Sequence, residues 1–238
     1  MTTTPLANNH ISVDIAILGF DGSDLKVLLL KRTGEDASGL FNDMKLPGSL
    51  IYQDEDLDQA ANRVLTELTG LSNIQLTQFK AFGSKNRTDN PRDVVWLERA
   101  QQARVERIVT IAYFAAVKLD RNLRRIGENG DAEWVNVEHL PQLAFDHNLI
   151  ISDAITALRR EAEHNRSLVF DLLPRRFTAS QLRRLYEILD DKQLDVRNFH
   201  KKMIQMPYVI ALDEYQRGVS HRAARFYRFD RKIYNSTR

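Results

Sequence analysis

The sequence predicts an α+β fold: a mixed sheet between helices over residues 1–165, then a basic helix–helix–hairpin module over residues 166–238. Three observations predict it. Strand-like and helix-like apolar patterns are mixed in the first part rather than strictly alternating. After Asn165 the texture changes to two amphipathic helices and two short strands. The charge divides at the same place: residues 1–165 hold 18 Lys and Arg against 24 Asp and Glu, a net −6, whereas residues 166–238 hold 16 against 8, a net +8. Such a split suggests an acidic body joined to a part that meets a polyanion, a soluble helix pair with surplus arginines being the plain alternative.

The elements follow in order. Residues 1–10 are polar and are expected to be disordered at first. Ile11–Phe20 and Leu25–Arg32 read as two strands around the turn Asp21-Gly-Ser-Asp24. Residues 33–45, with Gly34 and Gly39, read as a loop, and Leu46–Tyr52 as short and extended. Asp54–Thr69 reads as a helix with Leu57, Ala60, Ala61, Val64, Leu65 and Leu68 on one face. Asp54, Glu55 and Asp56 are placed in its first turn, and Gly70 as its C-terminal cap. Leu76–Gly83 and Arg107–Leu119 are strands. Between them, Asn86–Asp93 is loop-like and Trp96–Val105 a short helix. Ala132–Val137 is a strand, Val137–Leu140 a turn of helix, and a helix starts near Asn148. Beyond Asn165, Thr178 caps one helix, whose buried face is Leu182, Leu185, Tyr186 and Leu189, and Asp195 caps a second, which Pro207 stops. Tyr208–Leu212 and Ala224–Phe229 are strands flanking a basic tip.

The 43% hydrophobic content of the 238 residues supports a real core. The absence of cysteine excludes disulfides, thiolate zinc sites and cysteine nucleophiles, and suggests a reducing, cytoplasmic setting. Met1-Thr-Thr-Thr-Pro5 has no signal-peptide pattern, and the apolar run Ile108–Val117 is far short of the ~20 residues of a membrane span.

The chemistry sits in Leu46–Leu71, which resembles the Nudix box: Gly-x5-Glu-x7-Arg-Glu-U-x-Glu-Glu-x-Gly-U, with U a bulky apolar residue. In that family several carboxylates on one helix hold divalent metal around a pyrophosphate. Arg63, Leu65, Glu67, Gly70 and Leu71 anchor the match, and Glu55 falls at the first glutamate. Ser49 stands at the leading glycine, with Gly48 beside it. Val64 and Leu68 occupy two glutamate positions, so only Glu67 remains of the three metal-facing carboxylates. The reading is therefore a Nudix-like domain with no catalytic residues, no metal, no cofactor and no enzyme activity. A metal site completed from Asp89, Asp93 or Asp146, serving hydrolysis of ADP-ribose or a nucleoside diphosphate sugar, is the alternative.

In the second C-terminal helix, Val196, Phe199, Met203 and Met206 cluster on one side, with Arg197, Asn198, Lys201, Lys202 and Gln205 on the other. A recognition helix in a major groove needs that arrangement. Arg197 and Asn198 suit base edges, and Lys201 and Lys202 suit phosphate. Arg217, His221, Arg222 and Arg225 suit the flanking backbone, so the strands read as the wing of a winged helix.

A Nudix-like domain followed by a winged helix resembles the Nudix-related transcriptional regulators of bacteria, a group with arabinose-responsive and ADP-ribose-responsive members. Matching residues include Val13–Leu18, Leu25–Arg32, Ala60–Leu71, Leu143–His147, Leu172–Thr178 and Arg197–Lys202. The polar insertion between Lys85 and Arg107 departs from the family. The resemblance implies a cytoplasmic homodimer with a Nudix-like effector-binding and dimerisation domain (1–165) and a winged-helix domain (166–238) that binds a double-stranded DNA operator. The effector is expected to be a sugar such as L-arabinose, with ADP-ribose second. Arg32, Lys45, Ser49, Glu67, Asp146 and His147 are the expected effector contacts. A ligand-binding protein whose basic tail meets a protein or RNA is a further alternative.

Overall fold

A computed structural model describes residues 7–36, 39–101, 107–126, 130–218 and 223–237. The chain divides into two compact units. The first takes in the segments up to Leu18, Val27–Ala115 and Arg124–Ala157; the second takes in Gly19–Lys26, Ala116–Leu123 and Leu158–Arg238. Among the described residues no helix is long and apolar enough to cross a membrane.

Among the described residues, a seven-stranded sheet is built from β1 (Ala7–Phe20), β2 (Leu25–Asp36), β3 (Gly39–Lys45), β4 (Gly48–Tyr52), β5 (Thr77–Phe82), β6 (Val109–Lys118) and β7 (Ala132–Asn136). Its order is β3-β2-β1-β6-β5, with β4 also pairing with β1 and β7 with β2. The centre of the sheet is apolar on both faces: Val13, Ile15, Ala16, Ile17 and Leu18 of β1 are all wholly buried. That explains why β1 reads as a continuous apolar run rather than an alternating one. β1 begins at Ala7, so the expected disorder fails for residues 7–10; residues 1–6 lie outside the described residues.

Three expectations are corrected by local physics. Residues 33–45 are not a loop. β2 continues to Asp36 and pairs antiparallel with β3, from Leu30 opposite Lys45 to Asp36 opposite Gly39. The inward side of this arm is not aliphatic: Arg32 lies over the Phe41 ring at 5.2 Å. Gly34 clears the space, since a Cβ there would meet Phe41 Cζ at 2.5 Å. Apolar periodicity therefore misses the arm.

The box helix α1 spans Leu57–Thr69, so Asp54 and Glu55 precede it. Asp56 is its N-cap in a capping box with Gln59, and Gly70 closes it at φ 70°, donating its N–H to Thr66 O. Ala60, Ala61, Val64 and Leu65 face the core, whereas Leu68 is 39% exposed. The insertion helix α2 spans Pro91–Gln101 rather than starting at Trp96. Asn90 Oδ1 accepts the Arg92 N–H at 3.1 Å, and Pro91 has no N–H to satisfy, which is a helix start. α3 (Arg121–Arg124) follows β6, a 3₁₀ turn (Val137–His139) follows β7, and α4 spans His147–His164.

The second unit contains α5 (Ser167–Leu172), β8 (Phe177–Thr178), α6 (Ala179–Asp190), α7 (Val196–Ile204), β9 (Val209–Tyr215), β10 (Arg225–Phe229) and α8 (Arg231–Ser236). The expected boundary at 165/166 lies between α4 and α5, whereas the compact units divide within α4, after Ala157. Thr178 and Gln181 form a capping box on α6, and Asp195 caps α7. Phe199 and Met203 of α7 are 7% and 0% exposed, and Tyr186 of α6 meets Phe199 at 5.7 Å between ring centroids. Each such burial stabilises by about 1.5–3 kcal/mol. Buried Glu187 shapes the helix–helix turn: it accepts from Arg183 at 2.5 Å and from the Leu194 N–H at 3.0 Å. β8, β10 and β9 form a three-stranded antiparallel sheet over stacked Phe170 and Phe229, 4.2 Å apart.

Candidate functional site

A cavity of about 360 Å³ lies in the first unit beside the box helix. β1 contributes Ser12 and Asp14; β4 brings Gly48, Ser49, Leu50 and Tyr52; α1 gives Arg63, Glu67 and Leu68. The insertion supplies Arg87, Thr88, Trp96 and Leu97, with Lys45, Phe145 and His147 completing the wall. Four of the six expected effector residues line it: Lys45, Ser49, Glu67 and His147.

Arg32 and Asp146 do not. Arg32 is 2% exposed, held by Asp43 through Nε at 2.7 Å and Nη2 at 2.6 Å. Its Nη1 is in an ion pair with Asp93 at 2.6 Å, off the line of a hydrogen bond. Two carboxylates and the Phe41, Trp96 and Phe145 rings consume the guanidinium, so it supports the wall from behind. Asp146 is likewise used by Arg87, whose Nη1 donates to it at 2.6 Å. Burial raises the Asp146 carboxyl above its ordinary pKa, with Arg87 working against that rise.

Glu55 and Glu67, the two carboxylates the box alignment places, are also engaged. Glu55 receives Arg63 Nε at 2.8 Å and Nη2 at 2.5 Å, as well as the Tyr52 N–H at 2.7 Å. The Arg63 contact holds its carboxyl below the usual range. Glu67 accepts Arg63 Nη1 at 3.2 Å, the plain i+4 pairing. Arg63 itself lies over the Tyr52 ring at 3.9 Å. Leu68 lines the cavity, with Leu50, Leu97 and Ile108 making the lining apolar. No cluster of three or more potential metal-binding side chains occurs among the described residues.

Cations outnumber carboxylates in the lining: Lys31, Lys45, Arg63 and Arg87 against Asp14 and Glu67. Lys45 is 8% exposed and donates to the carbonyls of Leu46 and Gly48 at 3.2 and 3.1 Å. Burial pushes its ammonium down to about 8, opposed by Asp14 and helped by Arg32. Asp14 is buried, which favours the neutral acid, but the His147 ring N–H beside it and the Arg87 guanidinium outweigh burial and hold it well below the usual carboxylate range. Sequence reading missed Asp14, Arg87 and Trp96 as wall residues. A carboxylate inside the apolar run of β1 was the signal for Asp14; for Arg87 and Trp96, in a polar insertion, no comparable signal exists.

In the second unit, Arg197, Asn198, Lys201 and Lys202 of α7 all point to solvent. Arg217 is exposed beside Gly218, whose φ of 71° turns the β9–β10 tip. Arg225 is exposed, but its Nε donates to Leu212 O at 2.6 Å and so stitches β9 to β10. His221 and Arg222 lie outside the described residues. Val196 corrects the expected helix face: it is 62% exposed at the start of α7, not buried with Phe199 and Met203. Exposed His200 joins Val196 and Arg197 along a groove between α6 and α7 and went unremarked in the sequence.

The NUDIX domain family matches residues 8–158, and the NrtR DNA-binding winged helix domain matches residues 169–229. The chain is similar to an ADPR responsive transcriptional repressor of Acinetobacter baylyi, 29% identical over 94% of this chain and 84% of that protein. It is also similar to an ADP-ribose pyrophosphatase of Methanocaldococcus jannaschii, 28% identical over 58% of this chain and 71% of that one. Among solved structures, Shewanella oneidensis NrtR complexed with a 27mer DNA has a TM-score of 0.64 at 23% identity, covering 92% of this chain and 93% of that one, a likeness of fold.

Proposed function

The chain belongs to the Nudix family and carries an NrtR-type DNA-binding winged helix, and from that premise we propose that it is a transcriptional repressor controlled by an anionic nucleotide sugar, ADP-ribose. The cavity carries this reading. Its surplus of cations suits phosphates, its apolar and aromatic lining suits a base, and Leu68 stands where a metal-binding carboxylate would be needed for hydrolysis. The named activities of the two similar proteins, ADPR response and ADP-ribose cleavage, point to the same ligand. They reverse the expected order of effectors: nothing in them supports L-arabinose.

In this reading Lys45, Ser49, Arg63, Arg87 and His147 contact the effector, and Arg197, Asn198, Lys201, Lys202, Arg217 and Arg225 contact DNA. A homodimer would set two recognition helices on half-sites about one helical turn apart or a multiple of it. Effector binding acts by favouring one spacing of those helices.

The test is a gel shift on the chain's own upstream region with excess random DNA, with and without ADP-ribose or L-arabinose. Arg197→Ala and Asn198→Ala are expected to lose about 1–3 kcal/mol on the operator alone. Lys201→Ala weakens all sequences alike and lowers the salt slope by about 0.9. ADP-ribose, and not L-arabinose, shifts the complex. Magnesium- or manganese-dependent cleavage of ADP-ribose by the purified chain would restore the hydrolase reading instead.

A further inference from the structure

One polar atom on the cavity wall stands apart. His147 is 1% exposed and lines the cavity. Its Nδ1 accepts the Leu46 N–H at 2.9 Å, so in the neutral ring the proton sits on Nε2. That buried Nε2–H has no hydrogen-bond partner. Asp14 Oδ1 is 3.5 Å away, too long for a good bond, while Asp14 Oδ2 is taken by Arg87 Nη2 at 2.8 Å. The Gly48 backbone packs closely on this pair, and only glycine fits: a Cβ there would stand 1.9 Å from Asp14 Oδ1.

A ring N–H with no well-formed hydrogen bond, 3.5 Å from a carboxylate oxygen that Arg87 does not take, complements a hydroxyl, which both donates and accepts. A phosphate oxygen matches the donor but is repelled by the carboxylate. An ammonium matches the carboxylate but not the donor. We propose that Asp14 and His147 form a hydroxyl-reading subsite, in which a sugar hydroxyl of the ligand donates to Asp14 Oδ1 and accepts from His147 Nε2–H. Lys45, on the same wall, is placed to take adjacent phosphate. The ligand class is a phosphorylated sugar with a free hydroxyl; within the nucleotide-sugar reading above, on which this rests, it is the terminal ribose of ADP-ribose. The subsite makes that ribose, rather than the nucleotide, the part that distinguishes the effector from ADP.

The experiment is calorimetric titration of the full chain with ADP-ribose, ADP, ribose 5-phosphate and inorganic phosphate. Wild type is expected to prefer ADP-ribose over ADP, and ribose 5-phosphate over phosphate, by roughly 10–100-fold. His147→Asn keeps an acceptor for the Leu46 N–H but removes the Nε2 donor, and both preference ratios should fall to within about threefold. A histidine that only braces Leu46 would leave the ratios intact, which overturns the proposal. So does equal binding of each pair by wild type; if that occurs while ADP-ribose still binds, the effector reading survives and the subsite does not. A ribose 5-phosphate preference without ADP-ribose binding does the reverse. Binding of none of the four removes both. Should His147→Asn lose its thermal transition, the wild-type ratio of ribose 5-phosphate to phosphate decides.

Discussion

Lys45 makes the pH dependence of effector binding a direct test of the cavity. Its ammonium is buried, rests on two backbone carbonyls and sits 5.4 Å from the Trp96 ring centroid. Burial brings its pKa down to about 8. A phosphate placed at ~4 Å would gain about 4 kcal/mol from this charge at an effective dielectric of about 20, which bounds the effect. An anionic ligand stabilises the ammonium, so the bound pKa lies above the free one. Affinity is therefore full below about pH 8 and decays as pH rises through that value. With a free pKa of about 8, the charged fraction falls from about 90% at pH 7 to about 10% at pH 9, weakening binding roughly tenfold. Calorimetry with ADP-ribose across that range reads the effect directly. At about pH 8.5, buffers of different ionisation enthalpy should also report proton uptake on binding. Lys45→Met should bind weakly at pH 7 with no such decay. A flat wild-type profile, or a decay that Lys45→Met retains, refutes the assignment of the charge to Lys45.

Other outcomes follow from packing. Gly48→Ala drives a Cβ into Asp14 Oδ1 and disturbs the buried Arg87 pair, so urea unfolding should show a loss of about 3–5 kcal/mol. Glu187→Ala strands the Leu194 N–H and Arg183; about 1–3 kcal/mol of stability is lost, and amide exchange at Leu194 accelerates along with a drop in operator affinity. Met203→Ala empties a wholly buried position on the inner face of α7, which lowers stability by about 2–5 kcal/mol in the same unfolding assay.

The elements legible in the sequence were those whose stability is local or strongly periodic. The box helix declared itself through Ala60, Ala61, Val64 and Leu65, with Gly70 as its stop. α6 and α7 did so through the caps Thr178 and Asp195. What stayed hidden depended on partners distant in sequence. The β2–β3 arm packs Arg32 on Phe41 instead of aliphatic side chains, so no period-two pattern marks it. Short β8 exists because Phe177 and Thr178 pair with Tyr227 and Phe226, some fifty residues away. In the cavity, the box pattern led to Glu67 and Ser49 because their spacing is fixed by one helix and its leading turn. The burial of Arg32 stayed hidden, since a charged residue ending an apolar strand reads as exposed unless its acids are known. Those acids, Asp43 and Asp93, come from two other segments.

That last pairing fixes the status of the insertion. Asp93 of α2 lies against Arg32 and also accepts the Phe145 N–H at 2.9 Å, with its own side chain 1% exposed. A buried guanidinium deprived of one acid is strongly destabilising, by about 3–5 kcal/mol. Trimming the segment between Lys85 and Arg107 to the length of a plain loop would thus unseat the interior of the domain, not merely shorten its surface. Any shorter homologue must either place an acid from elsewhere at that spot or carry an uncharged residue where this chain has Arg32. The two features are expected to come and go together.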